Sequence, residues 1–373
     1  MYIVTGFLLG TPGQLINDAV LDTGSSDLVV SKSTFNPKKS KSLKFTGVNA
    51  DTGYYTTNTI KLQQVVDVVK TKDWSVGKLK FGYTSESYLD SYFGIVGVGY
   101  DTDEAFDKYE NLPVRLKSTG VTHTNIYSIY GKGLSPSITF GGVDTSVYEA
   151  PLIKTPVALE MGPNATRKYY NVLAVTVNSA KLNGIIISNE RLIYAIDSGS
   201  NVFASSQPII DNICTLLGDF KVYNDTKYFL YSTVKANSLS FDITGFIISI
   251  PMLEIVDDIK VVDNKKYASL RMYPVEIGTD SYEGALPNAV LKYYYTVYDL
   301  EANSIFFAPY KKDPTLSSPR AILDANSYPI ATQNAPNYEK TYTSFYQNKY
   351  ETTIGTTTSA SSSTKVCHSK RKV

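Results

Sequence analysis

"AVLDTGSSDLVVS", residues 19–31, places a carboxylate at the end of an apolar run and follows it at once with a tight turn. Ala19, Val20 and Leu21 read as a buried strand, and Leu28, Val29 and Val30 read as another. Asp22 therefore leaves a core strand and enters a turn at Gly24. An ionised carboxylate in apolar surroundings is costly unless hydrogen bonds or a partner charge compensate it. Asp22 is either held by something or holds something.

A second copy of the stretch answers this. "YAIDSGSNVFAS", residues 194–205, repeats the pattern of apolar strand, Asp, small hydroxyl residue, Gly, Ser. Asp22 and Asp197 stand about half of the folded portion apart, as a duplicated lobe would place them. Two carboxyls within hydrogen-bond reach cannot both ionise cheaply, so they share one proton and titrate as a pair. One member can then act as general base and the other as general acid. The hydroxyls of Thr23 and Ser198 suit cross-bracing of the two turns. Ser25 and Ser200 are placed to hydrogen-bond the carboxylates from outside. Gly24 and Gly199 allow the tight backbone, with N–H groups facing the acids.

The remaining composition is compatible with such a site and excludes others. The chain has 373 residues, 43% of them hydrophobic, enough for two cores. A formal net charge of +1 leaves no nucleic-acid footprint. Two cysteines, Cys214 and Cys367, supply no metal framework, and a structural bridge between them is not expected. The two histidines, His123 and His368, have no nucleophile motif beside them and read as surface or loop residues. Thirty tyrosines, many beside Val, Ile or Thr, favour β structure. Short apolar runs at 59–62, 65–69, 126–130, 172–177, 246–250 and 293–298 read as strands. Helical periodicity is scarce, and the best short candidates are around 112–118 and 208–217. No stretch reaches the roughly 20 apolar residues of a membrane span. The opening "MYIVTGFLLGTPGQ" shows no signal-peptide pattern and reads as a strand entering a turn, so the chain is expected to begin inside a domain. The basic end, "SKRKV", reads as a solvated terminus.

Further segments make the sequence resemble the pepsin-type aspartic proteases. "AVLDTGSSDLVV" and "AIDSGS" resemble that family's two active-site motifs. "FGIVGVGY" (93–100) resembles its apolar-apolar-Gly segment. "ITFGGVD" (138–144), "YYNVLAVTVNSAKLNG" and "YYYTVYDLEANSIFFAPY" (293–310) resemble later parts of its two lobes. The wording of the first motif, with a Ser/Thr-rich tail, is most similar to fungal yapsins and candidapepsins.

The resemblance implies a mostly β, bilobal fold with a cleft between β-barrel-like lobes. It implies an N-terminal lobe over 1–155 and a C-terminal lobe over 156–312, while composition by itself marks 313–373 as a flexible Ser/Thr-rich tail. It implies an endopeptidase, favoured by acid, in which water between Asp22 and Asp197 attacks a peptide bond. The alternative is a weakly active or inactive relative that binds peptides in the cleft. Neither cofactor nor metal is expected. The expected partner is a peptide or protein substrate, the chain is expected to be monomeric, and its location is expected to be secreted or at the cell surface.

Three departures from the family pattern stand out. Val29 occupies the usual position of a Trp. Alignment of the following strands puts the flap in "FTGVNADTG" (45–53), where Phe45, Thr46 and Gly47 offer no Tyr before the Gly. Tyr54 and Tyr55 lie further along that hairpin. The second apolar-apolar-Gly segment reads Ala285-Leu286-Pro287-Asn288, which is expected to crowd the second Asp loop. Asn164-Ala-Thr and Asn224-Asp-Thr match the N-glycosylation acceptor pattern.

Overall fold

In the computed structural model, the chain is described over residues 2–53, 59–85, 94–133, 136–161, 168–275, 282–315, 317–325, 327–341 and 344–345. It is mostly β, as expected, and it has two large sheets built on the same plan. The predicted helices form at Leu112–Ser118 and Gln207–Leu217. Asn111 caps the first, its side chain accepting from Val114 N, and proline stands in the opening turn of each.

The duplicated plan is what positions the two turns. In the first sheet, Ala19–Asp22 runs parallel to Gly94–Gly97, which pairs antiparallel with Leu28–Ser31. Leu28–Ser31 in turn runs parallel to Ser75–Thr84. The second sheet repeats this order. Leu192–Ile196 runs parallel to Gly284–Leu286, Phe203–Ser205 pairs antiparallel with that strand, and Met272–Pro274 runs parallel beyond it. A strand from late in each half thus wedges between the Asp strand and its own return. The wedge holds the intervening turn open at the sheet's end, so the Asp cannot fold back into the core.

Both Asp strands are buried on both faces, which accounts for their unbroken apolar runs. A third sheet joins the halves, in the order 137–140, 126–130, 294–299, 304–309, 152–156 and 332–334. The expected lobe boundary at 155/156 falls inside Leu152–Pro156, a strand of this sheet. A continuous apolar core runs from Phe7 and Leu9 through Val96 and Tyr127 to Tyr194, Phe241 and Phe307.

The expected tail differs over its first part. Pro319–Ala321 pairs with Gly142–Asp144, and Thr332–Asn334 runs parallel to Leu152–Lys154. Ile322 and Ala325 are buried against Val143, Tyr148 and Phe306 in a second core. Ser317 Oγ and Ser318 N donate to the Asp144 carboxylate at 2.6 and 3.0 Å. Polar composition concealed this, because a few apolar side chains and open strand edges suffice to dock an extended segment. The low-complexity run 352–364 lies outside the described residues. Ending the chain after Lys312 is expected to cost at least about 2 kcal/mol, the burial of Ile322 alone, read as a lower midpoint in urea.

Among the described residues, no helix is long and apolar enough to cross a membrane. His123 is exposed, and Cys214 is buried on the helix Gln207–Leu217. Cys367 and His368 lie outside the described residues.

Candidate active site

The two Asp-bearing turns meet face to face and brace each other. Thr23 N donates to Ser198 Oγ at 2.9 Å, and Ser198 N donates to Thr23 Oγ1 at 2.9 Å. Thr23 Oγ1 donates to Ile196 O at 2.5 Å, and Ser198 Oγ donates to Leu21 O at 2.7 Å. Each hydroxyl therefore accepts from the opposite turn and donates to the opposite strand. Both side chains are buried, so all four bonds are shielded from water and from competing partners. Ser198→Ala would leave Thr23 N and Leu21 O unpaired inside the molecule. Each orphaned group costs about 1 to 3 kcal/mol. A fall in thermal midpoint of several degrees is expected, while Ser198→Thr keeps the hydroxyl and most of the stability.

This brace holds Asp22 and Asp197, 7% and 8% exposed, with their carboxyls in hydrogen-bonding contact. Gly24 N donates to Asp22 Oδ1 at 2.9 Å, and Ser25 Oγ donates to Asp22 Oδ2 at 2.6 Å. Gly199 N donates to Asp197 Oδ1 at 2.8 Å, and the Ser200 N–H also faces Asp197. The expected support from the Ser200 hydroxyl differs: its Oγ accepts from Val202 N at 3.1 Å instead. The two halves are thus unequal, with Asp22 holding one hydroxyl donor more.

Gly24 and Gly199 are required for close approach. A Cβ on Gly24 would stand 2.8 Å from Asp197 Cγ, and one on Gly199 would stand 2.6 Å from Asp22 Cγ. Each turn presses its glycine against the opposite carboxyl, a contact that only a missing side chain permits.

Burial pushes the Asp197 carboxyl well above the usual carboxylate range. The Asp22 charge and the hydrogen bond between the two acids act in the same direction. The Gly199 and Ser200 N–H groups oppose them without prevailing. Asp197 is accordingly the member that keeps a proton.

The second apolar-apolar-Gly segment tolerates its departure. Asn288 N donates to Ser200 O at 2.8 Å, the counterpart of Gly99 N donating to Ser25 O at 2.9 Å. The φ of Asn288 is −51°, so the position needs no glycine. Its side chain is accommodated, although Nδ2 is buried with no hydrogen-bond partner among the described residues. Val29 is fully buried among Ile60, Leu62, Ile95 and Phe106, an apolar cluster that fills the place of the absent indole.

The expected flap tip does not fall on Phe45, Thr46 and Gly47. Lys44–Gly53 pairs with Thr59–Lys70, and the register shifts between Phe45 and Asn49. Thr46 Oγ1 donates to Gln64 O at 3.1 Å and accepts from Val48 N at 3.2 Å, while Gly47 has φ +85°. These residues form a bulge near the start of the hairpin. Pairing resumes at Asn49 and continues to Gly53 opposite Thr59. Residues 54–58, with Tyr54 and Tyr55, lie outside the described residues.

A group of acids behind the first turn went unread in the sequence. Asp27 is buried and accepts from Tyr109 OH at 2.6 Å and Ala105 N at 2.7 Å. Asp103 Oδ1 accepts from Asn171 Nδ2 at 2.9 Å, linking the first half to the second. Thr102 Oγ1 donates to Tyr170 O at 2.8 Å beside it. Burial, then the Asp27 charge, pushes Asp103 up to about 7 and Glu104 up to about 9. The run "YDTDEAFD" (100–107), directly after an apolar-Gly segment, was the available signal.

A family model described as eukaryotic aspartyl protease matches residues 2–310. The chain belongs to that family and is a peptide hydrolase of the aspartic type. Candidapepsin-3 of Candida albicans is 28% identical over 317 residues, spanning 78% of this chain and 75% of that protein. Secreted aspartic protease 8 of the same organism is 27% identical over 319 residues, spanning 78% of this chain and 72% of the relative. A probable aspartic-type endopeptidase of Arthroderma otae is 26% identical over 361 residues, covering 85% and 74% respectively.

Proposed function

We propose that this chain is an active endopeptidase in which Asp22 and Asp197 share the work of activating one water. The observation that carries this is the contact of two buried carboxyls locked by the Thr23–Ser198 brace. Water held between the acids gives a proton to ionised Asp22 and attacks the scissile carbonyl carbon. Protonated Asp197 donates a hydrogen bond to the carbonyl oxygen as negative charge develops there. The proton taken by Asp22 then passes to the leaving amine as the C–N bond breaks, which restores the pair to one proton.

The rigid brace supports this mechanism because positional errors near 1 Å cost about 10²-fold in rate. The shared proton makes the reaction acid-favouring, since loss of the Asp197 proton removes the donor to the developing oxyanion. Substrates are peptides or proteins, and the working location is outside the cell, as the names of the secreted relatives suggest. The two lobes would meet at the strand Leu152–Pro156 of the joining sheet. The test is cleavage of a mixed peptide library across acid and neutral pH, with and without a statine-type transition-state analogue. Cleavage that peaks in acid and is blocked by the analogue is expected. Analogue binding without cleavage at any pH would instead identify a peptide-binding relative.

A further inference from the structure

Asn224-Asp225-Thr226 forms the tip of a two-residue hairpin between Phe220–Tyr223 and Thr226–Leu230. Tyr223 pairs with Thr226, so Asn224 and Asp225 alone make the turn. Their φ values are +48° and +62°, the left-handed pair that Asn and Asp adopt readily in such turns. Both residues are exposed, and the Asn224 carboxamide has no hydrogen-bond partner among the described residues.

The strand leading into the turn is an open edge. It borders a four-stranded sheet in the order 220–223, 226–230, 265–270 and 256–262. Phe220 and Val222 on that edge are 44% and 55% exposed. An open edge carrying exposed apolar side chains is a template for pairing with another chain. Lys227 partly covers it, its Nζ standing 4.7 Å above the Phe220 ring. Val222 has no such cover.

From these two observations we infer that Asn224 is an N-glycan acceptor and that its glycan guards the Phe220–Tyr223 edge against association between copies. The inference rests on the secretory location proposed above. The donor is a lipid pyrophosphate-linked oligosaccharide in the lumen of the secretory pathway. Asn224 Nδ2 forms a bond to C1 of the terminal N-acetylglucosamine. The bond from C1 to the pyrophosphate oxygen breaks, the lipid pyrophosphate leaves, and Nδ2 gives up one proton. Thr226 supplies the hydroxyl that the acceptor pattern requires. The turn is local and fully exposed, so the amide is accessible in the folded chain as well as during synthesis.

The full chain is expressed in eukaryotic cells behind a heterologous secretion leader, so that lumenal delivery does not depend on its own terminus. Peptide mapping after peptide-N-glycosidase release in ¹⁸O-water, which converts a glycosylated Asn to ¹⁸O-labelled Asp, reads occupancy at residue 224 separately from Asn164. Occupancy of most secreted chains is expected, with loss in both Asn224→Gln and Thr226→Ala and retention in Thr226→Ser. Gel filtration of the folded Asn224→Gln protein is expected to show self-association, and Val222→Lys in the same background is expected to reverse it. An unmodified Asn224 in correctly secreted protein overturns the inference. A glycan whose removal leaves the protein fully monomeric overturns the guarding role. Retention of the chain inside cells when its native gene is expressed would bear on the location reading alone.

Discussion

Asp22→Asn and Asp197→Asn are each expected to lower peptide cleavage by about 10⁴-fold, the scale on which a paired acid–base unit fails when one member is lost. The two losses should not add, because each variant already removes the shared proton and with it the division of roles. Asn matches Asp in shape: in Asp197→Asn the amide oxygen keeps the Gly199 N–H, and in Asp22→Asn it keeps the Gly24 N–H while the Ser25 hydroxyl turns to accept from the amide NH2. The variants should therefore fold. Stability provides a second readout that separates chemistry from damage. Asp197 keeps its proton in the fold well above the ordinary carboxylate range, whereas the unfolded chain releases it, so holding that proton costs stability at neutral pH. Asp197→Asn removes that burden and is expected to raise the thermal midpoint at pH 7 while activity falls. A variant that loses activity and stability together would point to a structural role for the pair. Full activity in either variant would overturn the proposed mechanism.

The second large effect is loss of the fold itself as pH rises. A carboxyl whose folded pKa lies above its unfolded one binds its proton more tightly in the folded state. Its contribution is complete below the unfolded value near 4 and is lost as pH climbs through the folded value. Asp103, pushed to about 7 by burial and then by the Asp27 charge, and Glu104, pushed to about 9 by burial and then by Asp27, set a window from about pH 4 to about pH 9. Asp27 and Asp197 are raised as well.

Around Asp103 stand the Asp27 and Asp22 charges and the Asn171 amide. Around Glu104 stand Asp27, Asp101, Lys108 and the Tyr109 N–H, and only the last two favour its ionised form. A shift of about three units in one acid is worth on the order of 4 kcal/mol, a large part of the stability of any domain. Because these acids share one field, their effects overlap and do not sum. Urea midpoints should be highest in acid and fall from about pH 4 to about pH 9, most steeply below about pH 7, where both acids are protonated in the fold and ionised in the unfolded chain. Asp103→Asn keeps an acceptor for Asn171 and should flatten that fall, with little change at pH 4. An unaltered slope in both Asp103→Asn and Glu104→Gln would place the pH sensitivity elsewhere. Since Asp103 links the two halves through Asn171, cleavage should decline with this transition and not before it.

Much of this molecule can be read along the chain. Asp22 and Asp197 stand out because the same short grammar occurs twice: apolar strand, Asp, hydroxyl residue, Gly, Ser. Strand periodicity and the two short helices follow from local preference, and local preference acts over the distances a sequence displays directly. Thr23 and Ser198 were legible as braces because a hydroxyl after each Asp has no other evident task.

What required the tertiary structure was every property that depends on a long-range neighbour. The hydroxyl of Ser25 reaches its carboxylate and that of Ser200 does not, a difference set by a single local bond to Val202. Asn288 fits the backbone because its φ is negative and its N–H keeps the bond a glycine would make, although its buried Nδ2 has no partner among the described residues. The hairpin bulge sets Thr46–Val48 opposite Gln64 alone, and two extra residues in a strand leave no mark on composition. Asp27, Asp103 and Glu104 become a pH-sensitive group only when burial brings their charges together. Residues 317–341 look too polar to pack, yet Ile322 and two open strand edges dock them. Pattern along a chain reports what each residue prefers on its own. Desolvation, close approach and shared electric fields arise only when distant residues meet, and those set which acid keeps its proton.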